Sequence, residues 1–184
     1  MNKLLLSAGI LLFLAGCNQE SAHDSTNSPH ADSSALTAET SPEQKEERNK
    51  EIALASVKAV ETGNMETVLK DLKADATDYG DGMGPVINNK DTLTAWLKSY
   101  SASFPDWKGE NLMAVADGDY VFIYGDWSGT FKKDFMGIKA TGKSYKMKDV
   151  DIFKFNDKGE IIEHRSIQDW NAVMAKQGFP VSKK

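Results

Sequence analysis

The spacing of apolar residues changes along the chain from a helical period to a strand period, and the change divides the folded part in two. Ser41-Pro42-Glu43-Gln44 reads as a helix start, with Ser as N-cap, Pro at the first helical position and Gln three residues on as capping-box partner. Ile52, Ala55, Ala59 and Val60 follow as a stripe, and Thr62-Gly63 ends the helix. Asn64 caps a short second helix over 65–72, and 76–81 reads as a short strand broken by the run Gly80-Asp81-Gly82-Met83-Gly84-Pro85. Asp91 or Asn89 opens a third helix carrying Leu93, Trp96, Leu97 and Tyr100, which stops before Phe104-Pro105. From 108 onward the period is two. It predicts strands over 108–117, 120–131, 144–155 and 160–168, with hairpin turns at Gly118-Asp119 and 156–159, and a terminal helix over 170–177. Helices first and an antiparallel sheet afterwards mean an α+β fold, with the helices packed on one face of a curved sheet.

Two strands carry the candidate chemistry. Along 144–155 the alternation puts Tyr145, Met147, Asp149, Asp151, Phe153 and Phe155 on one face, and Lys146, Lys148 and Lys154 with Val150 and Ile152 on the other. The aromatic face is the buried one, and an acid among buried aromatics is costly unless it is paired, protonated or used. On the following strand Ile162, His164, Ser166 and Gln168 share a face. A plain four-residue loop pairs Phe153 with Ile162, Asp151 with His164 and Asp149 with Ser166; a three-residue loop with a bulge at Gly159 puts Arg165 opposite Asp151 instead. The first register is the expectation. It makes Asp151 and His164 an acid/base pair, with Trp127, Met147, Asp149, Phe153, Ser166, Gln168, Tyr79 and Trp96 lining a pocket around them. A structural Asp–His pair closing the base of the fold is the alternative.

A Ser166–His164–Asp151 nucleophile set is conceivable, but Ser166 and His164 lie two apart on one strand and no oxyanion hole is visible. Asp149, Asp151 and His164 do not have a recognised metal-ligand spacing, so neither metal nor cofactor is expected. On strand 120–131, Val121, Ile123, Trp127 and Phe131 face the pocket, while Tyr120, Phe122 and Tyr124 form an outer apolar face that homodimerisation would cover. Met83, Trp96, Met113, Met136 and Met147 read as core filling.

The N-terminus changes the picture of address. Lys3 precedes an apolar run over 4–14, too short to span a bilayer and typical of an export signal. It ends in Leu14-Ala15-Gly16-Cys17, which resembles the bacterial lipobox; the resemblance implies cleavage before Cys17 and lipidation of its thiol. Cys17 is the only cysteine among 184 residues, so no intramolecular disulfide can form. Asn18 after the Cys, by the usual sorting pattern, implies the periplasmic side of the outer membrane. Residues 18–40 hold no aromatic residue and no apolar period, and read as a tether; His23 and His30 in it have no fixed geometry for metal capture. The expected organisation is therefore signal 1–16, lipidated Cys and tether 17–40, and domain 41–180. The net charge of −5 argues against nucleic acid as a partner, and removing the leader takes away one Lys and no acid.

Phe104-Pro105-Asp106, Gly129-Thr130-Phe131, Phe135-Met-Gly-Ile138, Thr141-Gly142, Asp151-Ile152-Phe153 and Glu163-His164, in this order and spacing, resemble the SnoaL-like branch of the nuclear-transport-factor-2-like superfamily over about 47–178. The resemblance implies a cone: a bent sheet wrapped around a long helix with a pocket at its open end. Among relatives, Asp151-Ile-Phe-Lys-Phe-Asn156 is similar to ketosteroid isomerase, where Asp151 falls on a protonated acid. In that comparison the oxyanion tyrosine's place holds Ser56, and the general base's place falls near Gly80, with Asp81 beside it and Asp78 two before. In the cyclases Glu163-His164 would be followed by an aromatic residue and a catalytic Asp; here Arg165 and Ser166 stand there. Two functions follow. One is a lipid-anchored protein that holds a small hydrophobic molecule in the cone without turning it over. The other is a cyclase-, isomerase- or dehydratase-like proton-transfer enzyme using Asp151 and His164.

Overall fold

The computed structural model describes residues 41–82 and 84–180. The expected signal, Cys17, the tether and Met83 lie outside the described residues. Helix α1 (Pro42–Glu61) starts on the Ser41 capping box, with Gln44 answering the Ser41 backbone. Its buried face is Asn49, Ala53, Ser56, Val57 and Ala59, which shares Ala59 with the expected stripe; Ile52 and Val60 are half-buried and Ala55 is exposed. Small side chains let the helix lie close against the sheet, and the bulkier Ile52 and Leu54 pack at the margins of this contact.

Helix α2 (Met65–Lys70) is capped by Asn64 and ends earlier than the pattern suggested, because strand β1 (Leu72–Asp78) begins two residues on. Helix α3 (Lys90–Ser103) takes Asn89 as N-cap, whose side chain accepts the Thr92 amide. Strands β2 (Lys108–Asp117), β3 (Tyr120–Thr130), β4 (Ser144–Phe155) and β5 (Ile161–Ser166) follow, then helix α4 (Trp170–Lys176), capped by Asp169.

The sheet order is β1-β5-β4-β3-β2, antiparallel except that β1 runs parallel to β5. That parallel edge departs from the all-antiparallel expectation and brings Asp78 directly opposite His164. Val121, Ile123, Trp127, Phe153, Phe155 and Ile161 bury against Ala53 and Val57 of α1. A second cluster joins Phe104, Phe131, Tyr145, Met174 and Phe179, with Tyr100, Phe135 and Trp170 against it. Met147 and Trp107 touch both clusters.

The β4–β5 hairpin adopts neither register expected. The Asn156 amide donates to Glu160 O, leaving a three-residue turn with Gly159 at φ +81°. A second shift follows between Lys154 and Phe155, so Lys154 faces Glu163, Phe153 faces His164 and Asp151 faces Ser166. Either shift alone would turn His164 to the outer face; two together restore it to the inner one.

Candidate active site

His164 sits between two carboxylates. Its Nδ1 is 3.2 Å from Asp78 Oδ2 on β1, and its Nε2 is 3.5 Å from Asp151 Oδ1 on β4, reached diagonally because Phe153 holds the position opposite. The Phe153 ring lies 4.9 Å from the imidazole, tilted 47°. Asp78 is fixed by the Gly80 N–H, which donates to Oδ1 at 2.7 Å, and the Tyr79 N–H donates to His164 O at 3.0 Å. Gly80 takes φ +52°, the conformation that lets its amide turn back to Asp78.

Burial dominates the electrostatics of all three groups, yet His164 keeps 26% of its side-chain surface open to solvent and each aspartate 16%. All three groups are therefore desolvated and still reachable from solvent. Burial alone would lower the His164 pKa, but the Asp78 charge and hydrogen bonds to both carboxylates outweigh it and lift the imidazole from 6.5 to about 10. Asp151 moves up: burial raises it further than His164 lowers it. Asp78 moves down, since the His164 charge and the His164 and Gly80 hydrogen bonds together exceed the opposing effect of burial. At neutral pH the site is an imidazolium held by two acids of unequal strength. Both ring nitrogens face carboxylates, so His164 offers no lone pair, and among the described residues no group of three His, Cys, Asp or Glu has metal-holding geometry.

The other expected site residues divide. Phe153 lies on the inner face against His164, whereas Met147, farther along the same strand, lies opposite Trp127 and lines a cleft with it. Trp96 is half-buried and stacks on Tyr100 at 5.3 Å, edge-on to Phe135. Trp127 is core for most of its surface: it is 2% exposed, stacks on Trp107, and its ring occupies the space a Cβ on Gly109 would need, while its remaining edge lines a cleft with Met147. Asp149 and Ser166 are corrected from ligand binding to a structural clasp. The Ser166 hydroxyl donates to Asp149 Oδ2, while the Ile167 and Gln168 amides donate to Oδ1 at 3.2 and 3.1 Å. Gln168 itself is exposed, and the Ser166 hydroxyl is turned to Asp149, so the geometry gives no Ser–His–Asp nucleophile set. Tyr79 lies under the Arg165 guanidinium, 4.0 Å from its carbon, away from the triad.

Asp78 is the triad member absent from the expected pocket. A signal existed in its place two residues before the isomerase base position, but its pairing needed the long-range parallel edge. Two clefts of about 220 and 480 Å³ lie away from the triad, one between α1, α2 and Ile161, the other lined by Trp127 and Met147 with Glu110, Asp126, Lys146 and Lys148.

A family profile described as SnoaL-like polyketide cyclase matches residues 50–177, the greater part of the chain. The chain belongs to this family. Among solved structures, a candidate SnoaL-like polyketide cyclase from Jannaschia is similar at TM-score 0.63 and 21% identity, covering 74% of this chain and 95% of that one. AclR, a candidate hydroxylase from Streptomyces galilaeus, is similar at TM-score 0.59 and 21% identity, covering 72% and 96%. A protein with a ketosteroid isomerase-like fold from Catenulispora acidiphila, solved with trimethylamine, is similar at TM-score 0.58 and 19% identity, covering 71% and 94%. Among curated proteins nothing matches. At these identities the likeness shows the SnoaL and ketosteroid-isomerase-like cone, and the different descriptions of the neighbours leave the reaction to the site.

Proposed function

We propose that this SnoaL-family domain is a proton-transfer enzyme acting on a small apolar carbonyl compound, with Asp151 moving the proton. The observation that carries the reading is the His164 imidazole set between Asp78 and Asp151, with part of each side chain still open to solvent. Three ionisable groups at such depth cost more in desolvation than strand cohesion requires, since apolar residues of similar size would hold the strands as well. Proton transfer gives the cluster a use. Burial makes Asp151 a stronger base than a surface aspartate, closer to the pH at which it would work.

The carboxylate takes a proton from the carbon beside the carbonyl. The C–H electron pair becomes the C=C bond of an enolate, and the carbonyl π pair moves to oxygen. Returning the proton to another carbon gives isomerisation; attack of the enolate carbon on a second carbonyl of the same molecule gives ring closure. His164 positions Asp151 through Nε2 and, held by Asp78, stays in one orientation throughout.

Holding a hydrophobic ligand without turnover is the second reading. It is favoured by Ser166, which stands where the cyclases would carry an Asp and is turned to Asp149. The same proposal includes a lipid anchor at Cys17 and a place on the periplasmic side of the outer membrane, supported by Leu14-Ala15-Gly16-Cys17 and Asn18. It includes a homodimer through the outer sheet face, supported by a ladder of exposed Met113, Val115, Tyr120 and Tyr124 beside Phe122. Native mass spectrometry of the chain purified from its host envelope tests the pocket. One small apolar carbonyl compound per chain is expected; an empty chain that gains no thermal stability from any such compound overturns both readings.

A further inference from the structure

The charges of the folded part are sorted by end. Helix α1 begins beside the β2–β3 and β4–β5 turns, where Lys45 pairs with Asp119 and Asp157 and Glu46 accepts the Gly118 amide. Glu43, Glu46, Glu47, Asp117, Asp119 and Asp157 gather at this end, against Lys45, Arg48, Lys50 and Lys158. The other end, about 35 Å away along the eleven residues of β3, carries the loop 131–143. Residues 132–148 hold six lysines and one acid, Asp134. Asp134 pairs with Lys139 and accepts the Ala140 amide, Lys148 pairs with Asp126, and Asp106 and Glu110 are the other acids whose charge reaches these lysines. Lys132 and Lys133 are exposed and form no ion pair among the described residues; nor does Lys176, carried on α4 beside Lys143 and Lys146.

The tip of this loop is a two-residue hairpin. Phe135 and Ile138 exchange both backbone hydrogen bonds, at 3.0 and 2.9 Å, around Met136 and Gly137 at φ +49° and +78°. Asn-Gly suits such a turn, whereas a methionine in the left-handed region is strained. Met136, read from the sequence as core filling, is 60% exposed. Its mounting is firm: the Phe135 ring packs on Trp96, Tyr100 and Phe104, and the Ser103 hydroxyl donates to Asp134 O at 3.2 Å. Folding gains nothing from an apolar side chain held outward at a strained turn; a partner does.

We propose that Met136 and the lysines around it, Lys132, Lys133 and Lys139, form a contact site for an anionic phospholipid leaflet. The methionine enters the headgroup region and the lysines face its phosphates. Charge complementarity selects this occupant: a chain of net charge −5 keeps its unpaired cations at one end, and the leaflet that attracts that end repels the other. One apolar side chain among flexible lysines also lacks the core of a protein interface, where lysine is depleted. Residues 18–40 reach no more than about 80 Å when extended, well beyond the length of β3. An anchor at Cys17 therefore lets either end meet the bilayer, and charge decides which. The site is independent of the proton-transfer reading.

The test is co-sedimentation of the full chain carrying Cys17→Ser with vesicles of phosphatidylcholine, alone or mixed with phosphatidylglycerol in equal parts. The leader is common to every chain compared and cancels between variants. A charged patch with one apolar contact falls short of the two signals that stable attachment takes, so binding is read at low ionic strength. The chain should bind the phosphatidylglycerol vesicles at least about tenfold more tightly, and high salt should remove the preference. Lys132→Gln with Lys133→Gln should lower that affinity about twentyfold, at roughly fivefold per lysine near the surface. Lys50→Gln with Lys158→Gln makes the same charge change at the acidic end and should leave it within about twofold. Met136→Asn puts the favoured Asn-Gly at the tip, so it should keep or raise the unfolding temperature while weakening vesicle binding about fivefold. No preference for phosphatidylglycerol, the outcome an acidic protein partner would give, overturns the proposal. So does a loss that the two lysine pairs share equally, vesicle binding unchanged in Met136→Asn, or a Met136→Asn chain that unfolds earlier, since the methionine would then serve the fold.

Discussion

Replacing His164 by glutamine removes the one cation between Asp78 and Asp151 while keeping polarity and approximate size. In the folded protein the imidazole titrates at about 10, against 6.5 unperturbed: burial opposes the rise, and the carboxylates, Asp78 first, impose it. A folded pKa above the unfolded one means the protonated imidazole stabilises fully below about pH 6.5, and that this contribution is lost as pH rises toward 10. At about 1.4 kcal/mol per pH unit the ceiling is about 5 kcal/mol. Solvent reaches 26% of the side chain, and a strongly desolvated pair returns part of its attraction as desolvation cost. About 2–3 kcal/mol is therefore the expected loss across the window. Urea unfolding of the native and His164→Gln chains from about pH 5.5 to about pH 10.5 measures it, the difference between them cancelling groups elsewhere. Native stability should fall relative to the variant between about pH 6.5 and 10. A flat difference across that window, or one that grows with pH, refutes a charged imidazole between two carboxylates.

Further outcomes follow from the clasp, the outer face and the leader. Asp149→Ala leaves the Ser166 hydroxyl and the Ile167 and Gln168 amides without their acceptor, and should cost about 2–4 kcal/mol in thermal or urea unfolding; a loss near zero contradicts the clasp. Val115→Glu places a charge in the exposed ladder opposite Phe122 and should halve the mass measured by light scattering. Equal masses for native and variant contradict the dimer. Cys17→Ser should abolish lipid labelling and membrane fractionation, and label that persists contradicts the anchor.

Local chemistry made much of the fold legible. Ser41, Asn64 and Asn89 cap the helices from the positions where their side chains can accept a backbone amide, and Gly118 turns the β2–β3 hairpin with φ +57°. The inner face of β4 also follows from alternation, because period two assigns a face whatever the partner. Register does not follow from it. A shift of two residues preserves every face, so Phe153 could replace Asp151 opposite His164 without disturbing the pattern. The buried face of α1 departs from its apolar stripe because Asn49 and Ser56 are buried polar residues, against the usual sorting of polar groups outward. The pairing of Asp78 with His164 is illegible for a third reason: it joins positions far apart in sequence through a parallel edge, which no local signal announces. Asp149 reads as chemistry because a buried acid demands a partner; its partners are the Val150, Ile167 and Gln168 amides and the Ser166 hydroxyl.

The central claim is that Asp151 moves a proton at carbon. Solvent deuterium entering the carbon beside the carbonyl of the co-purified ligand, followed by mass spectrometry, tests it most directly. The native chain should speed exchange, and Asp151→Asn should lower the rate by about 10²–10⁴-fold while ligand affinity stays within about threefold. Exchange that proceeds equally with Asp151→Asn, or a tightly bound ligand that exchanges no faster than in buffer, contradicts the claim.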